Sequence, residues 1–335
     1  MSEIQEKLEI EEGKNVPEIH VSPSPHLSNL KFTTRWMMLD VLIALIPILA
    51  VSIYVFKWYA IVQVGICVLS CLAFEALFTS WRGQKLSISD GSAAVTGVIL
   101  GMSLPWSAPW YVGFIGSLAA IGLGKIVFGG LGYNIFNPAM VGRAFVMFAF
   151  PLALSATMYQ MANSTNQILT QATPLTAAKL LGQGTPLWML LIGNTNGSLG
   201  ETSAIACIIG GLYLIIRRTA SWEIPVGGII SLLVFAGIGM IIKPSPEWNL
   251  LHHLAAGAFL FGAFFIATDP VTSPLTPKGK FVFGAGYAGI VMLIRTFSGY
   301  PEGVMFAVLL MNAITPLINK WTIPVPFGGP VPVKK

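Results

Sequence analysis

Two ionisable side chains stand inside long apolar runs, Glu75 in 59–79 and Arg143 in 136–154. A charge facing hydrocarbon costs about 3 kcal/mol or more, so each requires a buried partner, a water-filled path, or a helix tilt that carries it to the interface. Asp90 just precedes one short apolar run, and Asp269, in ATDP, just follows another. Each reads either as a helix-end or turn aspartate or as a ligand or ion-binding group. The stretch GLGYNIFNPAMVGRAF, residues 130–145, joins glycines that let backbone approach closely to Asn134 and Asn137 at a helix start. Amides there can pair with a planar polar heterocycle, or simply cap the helix. NSTNQILTQATPLTAAK, residues 163–179, is rich in hydroxyl and amide groups, yet on composition Thr165, Thr170, Thr173 and Thr176 are ordinary loop threonines. Cys67, Cys71 and Cys207 sit in apolar segments without metal-ligand spacing beyond one i, i+4 pair, and read as buried thiols.

The elements that position these residues must be membrane helices. Of 335 residues, 54% are hydrophobic and 10% charged, against about 25% charged in soluble domains, too few to cover a water-soluble surface. The 35 glycines and 22 prolines lie within apolar runs, where membrane helices tolerate them. The net charge of +5 comes from basic residues scattered singly or in pairs, which argues against nucleic acid. The fold class is therefore an all-α integral membrane protein of about ten transmembrane helices. Spans are predicted at 37–56, 59–79, 92–104, 109–128, 136–154, 199–216, 224–242, 252–267, 281–297 and 303–318.

The acidic start MSEIQEKLEIEEGK has no secretory-signal pattern, so residues 1–36 read as a cytoplasmic tail. From that start, Lys31, Arg35, Arg82, Lys85, Lys125, Arg217, Arg218, Lys278, Lys280, Lys320, Lys334 and Lys335 fall on the cytoplasmic side. Only Lys57, Lys179, Lys243 and Arg295 fall opposite. The asymmetry places both termini inside, including the tail 321–335, and the loop 155–198 outside.

Spans 92–104 and 252–267 are shorter than the roughly 20 residues a crossing needs. Each is third in a set of five, in segments 37–154 and 199–320, and each runs into similar punctuation. GVILGMSLPWSAP and GAFFIATDPVTSP share a glycine and two prolines at a constant offset of 165. Five spans per unit is odd, so the two repeats are expected to be inverted, with interrupted third helices bracketing a site. A rival match, GKIVFGG at 124–130 with GKFVFGA at 279–285, has an offset of 155 and would need a gap.

Several stretches resemble one family throughout the chain after about residue 20: SPSPHLSNLKFTTRWMMLDVLIALIP, SDGSAAVTGVILGMSLP, GLGYNIFNPAMVGRAF, ATPLTAAK, FFIATDPVTSPLTPKGKFVFG and IRTFSGYPEGVMFAVLLMN. That family holds the RnfD component of the Rnf ferredoxin:NAD oxidoreductase complex and the NqrB component of the sodium-pumping NADH:quinone reductase. Length favours the Rnf component, since its reductase counterpart has a longer amino-terminal extension. The resemblance implies FMN joined through its phosphate to a threonine at a D-x-x-[ST]-G-A-T motif. QILTQAT matches it, ending at Thr173, with Gln167 in place of the aspartate and Gln171 in place of the glycine. It also implies a noncovalent riboflavin near the cytoplasmic side between the halves, with Asn134, Asn137 and Asp269 as candidate contacts.

What the resemblance implies as a whole is a flavoprotein subunit in a prokaryotic inner membrane, relaying electrons while Na+ or H+ crosses. Its partners would be membrane and peripheral subunits of the A, B, C, E and G type. Reducing a buried flavin adds negative charge that draws a cation, for which Glu75, Asp90 and Asp269 are candidate path residues. The chain alone is not expected to complete a reaction, since it lacks a Gly-rich nucleotide fingerprint and iron–sulfur cysteines. A cofactor-free solute channel and a structural anchor are the other classes open to it, and the anchor would leave the intramembrane charges unexplained.

Overall fold

The computed structural model describes residues 33–83, 87–154, 173–177, 184–193, 195, 197–242, 250–300 and 302–324. In chain order its helices are α1 (Thr34–Phe56), α2 (Trp58–Trp81), α3 (Ser92–Ser103), α4 (Trp110–Ile121) and α5 (Pro138–Ala149). There follow α6 (Leu187–Ile192), α7 (Ala204–Ile216), α8 (Glu223–Ile242), α9 (Leu250–Ala255), α10 (Pro277–Phe297) and α11 (Val304–Thr322). Among the described residues there is no strand, only an isolated antiparallel bridge from Pro105 to Ser198. Five helices, α1, α2, α8, α10 and α11, are long and apolar enough to cross a membrane. The shorter α3, α4, α5 and α7 are apolar too.

Local chemistry explains where several of these helices begin. The side chains of Thr33, Asn137, Ser203 and Thr276 each accept a hydrogen bond from a backbone N–H of the first turn. Pro138 and Pro277 follow two of these caps, where a missing N–H is harmless. Between α1 and α2 the chain turns at a single residue, Lys57, whose φ of 57° is left-handed. Span 136–154 shortens to α5 because Phe150 leaves the helical conformation and Pro151 follows. Span 199–216 begins late because Leu199–Glu201 form a 3-10 turn before Ser203 caps α7. α6 falls within the loop 155–198; most of that loop, with Gln167 and Gln171, lies outside the described residues. So do Lys31, Lys85, Lys179, Lys243, Lys334 and Lys335.

The two segments pack alike. α2 lies against α3 and α4, and α8 against α9 and α10, while α5 packs on α4 and α11 on α10. Small residues permit the close approach that membrane helices rely on. A Cβ on Gly97 or Gly101 of α3 would stand 2.6 Å from Val68 Cα or 2.9 Å from Val64 Cα of α2. Gly284 of α10 meets the Ile224 carbonyl of α8 in the same way.

Both third elements are interrupted. With 12 residues, α3 spans about 18 Å of a roughly 30 Å hydrocarbon core. The other is broken outright: α9 stops, Gly257 takes φ +73°, and one turn (Phe259–Phe261) leads into a π-helical turn (Gly262–Ile266). A second π-helical turn, Gly122–Ile126, ends α4. Interruptions expose backbone carbonyls, and arginines answer them. Arg82 Nη1 donates to Ile126 O at 2.7 Å, Arg143 Nη1 to Ser103 O, and Arg295 to His253 O at 2.5 Å and Ala256 O at 2.9 Å.

Candidate functional site

A cavity opens between the two segments, with about 790 Å3 of free space counting its mouth. Its wall is built from α1 (Met37, Met38), α3 (Thr96, Ile99), the π turns (Lys125, Phe265), the start of α5, and the stretch Thr268–Val271. Asn134, Asn137 and Asp269, named from sequence, all line it. π-helical turns are rare and gather at functional sites; here both contribute to one wall.

The three polar residues play different parts. Asn137 Oδ1 accepts from Ala139 N at 3.1 Å and Met140 N at 3.3 Å, and its own N–H donates to Asn312 Oδ1 at 3.1 Å. Asn312 in turn donates to Thr272 O at 3.2 Å, so Asn137 is a helix cap that ties α5 to α11 and the ATDP turn. Asp269 closes that turn, accepting from Val271 N at 3.2 Å and Thr272 Oγ1 at 3.1 Å. Burial holds its carboxyl above the usual carboxylate value, against the lowering by those two hydrogen bonds. Asn134 differs: Nδ2 donates to Phe136 O at 3.3 Å, but buried Oδ1 has no hydrogen-bond partner. An orphaned acceptor in a cavity wall is a site for a donor that is not part of the chain.

Behind the cavity lies an ion pair. Lys125 Nζ sits 2.7 and 2.8 Å from the two Glu75 carboxylate oxygens and 2.6 Å from Ser92 Oγ. Both charged side chains are sealed from solvent, at 2% and 0% exposure. Ser87 Oγ donates to Glu75 at 2.5 Å, and Ser92 donates through N and Oγ to Asp90 at 2.7 and 2.5 Å. Glu75 and Asp90 thus join one chain of polar contacts, and Asp90 does not reach the cavity wall. Lys125, which sequence places among solvated orienting charges, is instead the counter-ion that Glu75 requires. Its partner is 50 residues away, so no local signal marks the pairing.

The opposite end holds a second charged group. Arg143 and Arg295, after serving the broken helices, both face Glu302, whose carboxyl is held well above the usual carboxylate value by burial first and by neighbouring Glu201 next. Arg295 Nη2 is 3.6 Å from Glu302 Oε1, which accepts from Ala258 N at 2.7 Å. Nearby, Thr173 caps a single helical turn, Pro174–Thr176: its Oγ1 lies 2.8 Å from Thr176 Oγ1 and accepts from Thr176 N at 3.3 Å. Leu175 of that turn packs against Gly257, where Glu302 and Arg295 also converge. Sequence reasoning passed over Glu201 and Glu302 because each stands at a helix end, like a solvated acid. It passed over Asp40 as well, a buried residue of α1 that accepts from Tyr213 at 3.2 Å and Thr219 at 2.9 Å and pairs with Arg217 at 3.3 Å. Cys67, Cys71 and Cys207 are buried free thiols, as expected. Among the described residues no group of His, Cys, Asp and Glu could hold a metal.

The sequence profile of the NQR2, RnfD, RnfE family matches residues 20–328. The D component of the Na(+)-translocating ferredoxin:NAD(+) oxidoreductase complex of Acetobacterium woodii is 41% identical over 306 residues, covering 90% of this chain and 93% of the relative. The D component of the proton-translocating ferredoxin:NAD(+) oxidoreductase complex of Clostridium ljungdahlii is 39% identical over 322 residues, covering 92% and 96%. The D component of the ion-translocating oxidoreductase complex of Halorhodospira halophila is 40% identical over 324 residues, covering 87% and 91%.

Proposed function

The chain belongs to the NQR2, RnfD, RnfE family, and from that membership we propose that it is the flavin-carrying membrane subunit of an Rnf-type ion-translocating ferredoxin:NAD oxidoreductase complex. Its partners are the other subunits of that complex. In this reading ten crossings form two inverted five-helix repeats in a prokaryotic inner membrane, with both termini cytoplasmic. The alike packing of the two segments and their interrupted third elements support the repeat.

The observation that carries the flavin reading is the inner cavity with the unpartnered Oδ1 of Asn134 in its wall. An isoalloxazine ring presents one N–H between two carbonyls, which suits an unpartnered acceptor in a largely apolar cleft. Bound riboflavin supplies one-electron and two-electron chemistry. The chain contributes orientation through Asn134, a wall fixed by the Asn137 cap and the Asp269 turn, and the Lys125–Glu75 pair beside it. Glu75, Asp90 and Asp269 remain the residues we assign to the inner ion path. The relatives' names divide between Na+ and H+, and both ions fit carboxylates of this kind.

FMN is assigned to Thr173. Its half-buried hydroxyl sits on a turn anchored by buried Leu175, a fixed point for a tether whose ring must stay free to exchange electrons. The test is mass spectrometry of the 155–198 peptide from the complex purified from its native host, with acid extraction of loosely held flavin. FMN mass on Thr173 and extractable riboflavin are the expected results. An unmodified peptide would remove the covalent assignment, and a colourless complex would favour a cofactor-free channel.

A further inference from the structure

The sealed pair behind the cavity is built like an occupied ion site. Lys125 rides on the π-helical turn Gly122–Ile126, Glu75 lies on α2 and Ser92 opens α3, so three elements meet at one nitrogen. Three oxygens take the N–H groups of that ammonium: Glu75 Oε1 at 2.7 Å, Glu75 Oε2 at 2.8 Å and Ser92 Oγ at 2.6 Å. The neighbouring hydroxyl hydrogens point elsewhere. Ser92 Oγ donates to Asp90 Oδ1 at 2.5 Å, and Ser87 Oγ donates to Glu75 Oε1 at 2.5 Å. The cluster therefore turns lone pairs toward its centre, as a hard cation with oxygen ligands requires. Carboxylate and hydroxyl oxygens, rather than a group of His, Cys, Asp and Glu, supply the ligands.

Stability does not account for this arrangement. Sealing both ions from water carries a desolvation penalty that their attraction roughly offsets, and apolar side chains of the same volume do as well or better. Lys125 and Ser92 also line the cavity, so the ammonium stands between the Glu75 carboxylate and the open space of the cleft. Its four-carbon stem is flexible. Ser87 and Asp90 hold Glu75 and Ser92 in place without help from Lys125.

We infer that Glu75 Oε1 and Oε2 with Ser92 Oγ form a site for a small monovalent metal ion of the Na+ type, which Lys125 fills from within the chain. The site rests on the geometry alone; its use in transport rests on the proposed function. Negative charge brought to the cavity by electron transfer competes with Glu75 for Lys125. As the ammonium turns toward that charge, a cation arriving past the partly exposed Asp90 takes its place, with water in the space the lysine stem vacates. One positive charge replaces another, and no covalent bond forms or breaks. When the charge leaves the cavity, Lys125 returns and expels the ion. The buried carboxylate thus serves two cations in turn, and neither state leaves it unpaired.

Removing the tethered cation tests the site. The complex carrying K125A is melted in sodium chloride and in choline chloride at equal ionic strength. Sodium should raise its melting temperature by several degrees more than it raises that of the wild type, whose site is filled, and K125A/E75Q should lose the extra shift. An equal shift in K125A and wild type overturns the site. Stabilisation of K125A by acid alone does so too, because it assigns the oxygens to a proton. A second measurement needs no destabilised variant: radioactive sodium retained by the wild-type complex before and after reduction with a sodium-free reductant. A further ion should be held after reduction, and the gain should vanish in E75Q; if K125A does not fold in either salt, this count decides. Unchanged retention in a complex that contains extractable riboflavin overturns the exchange with Lys125. A complex without riboflavin fails the functional reading instead, and the K125A shift still decides whether the site exists.

Discussion

The cavity and the charged group at the opposite end use the same residue types and leave opposite things unfinished. Inside, every charge is answered: Lys125 by Glu75, Asp269 by its own turn, Asp90 by Ser92. What lacks a partner there is a neutral carbonyl oxygen, on Asn134, beside open space. Outside, backbone and side chains crowd together, and the unanswered atom is an N–H of a cation, on Arg295. An orphaned neutral acceptor next to free volume calls for a ligand. An orphaned cationic donor in a crowded wall marks strained packing around Arg295, whose carboxylate neighbour, Glu302, stands 3.6 Å from Nη2.

The sharpest way to break the inner half of this contrast is to remove one ion of the sealed pair. Lys125→Met leaves Glu75 charged, or forces it neutral, at 0% exposure. The expected destabilisation is roughly 3–5 kcal/mol, read as a large drop in the melting temperature of the purified complex. The double variant K125M/E75L should recover most of the loss, because two well-packed apolar groups no longer need each other. If the single variant melts like the wild type, the pair is wetter than the structure shows and the inner charges are not fully answered.

A smaller effect separates two neighbouring asparagines that sequence alone makes equivalent. Asn137→Ala removes a helix cap and the tie to Asn312, at an expected cost of about 1–2 kcal/mol in stability. Asn134→Ala removes only a bond to Phe136 O and the orphaned acceptor, so stability should fall by less. Retention of extractable riboflavin should drop about tenfold, the worth of one hydrogen bond to a buried ligand. Should Asn137→Ala lose the flavin without losing stability, the cap and the contact have been assigned to the wrong residues.

These pairings show what the sequence could reveal. Long apolar runs made α1, α2, α8, α10 and α11 legible to within a few residues, and Gly and Pro marked both interrupted elements. Asp269 directly follows the second interruption, whereas Asn134 and Asn137 lie between the π turn that ends α4 and the start of α5, so only folding brings the three together. Lys125 was hidden, since a cation near a helix end reads as an orienting charge, and only folding brings it 50 residues back to Glu75. Glu201 and Glu302 were hidden for the same reason, with 101 residues between their positions and no periodic pattern joining them. α6 was hidden because six apolar residues between prolines and glycines carry too little periodicity to separate helix from loop.

The smallest expected effect bears on the outer half and follows from sign alone. Glu302 is an acid whose value in the folded chain lies well above 4.5, raised by burial first and by Glu201 next. The folded state therefore binds a proton that the unfolded chain has already lost across the interval between the two values. Stability from this group is complete below 4.5 and declines as pH rises toward the folded value. The wild-type complex should thus melt at lower temperature as pH increases above 4.5, and E302Q, which carries no proton to lose, should show a shallower slope. Arg295 and Arg143 stabilise the ionised form and shrink the difference, so a slope change of a fraction of the limiting value, about 1.4 kcal/mol per pH unit, is expected. Equal slopes would mean that burial does not raise Glu302 in the folded complex.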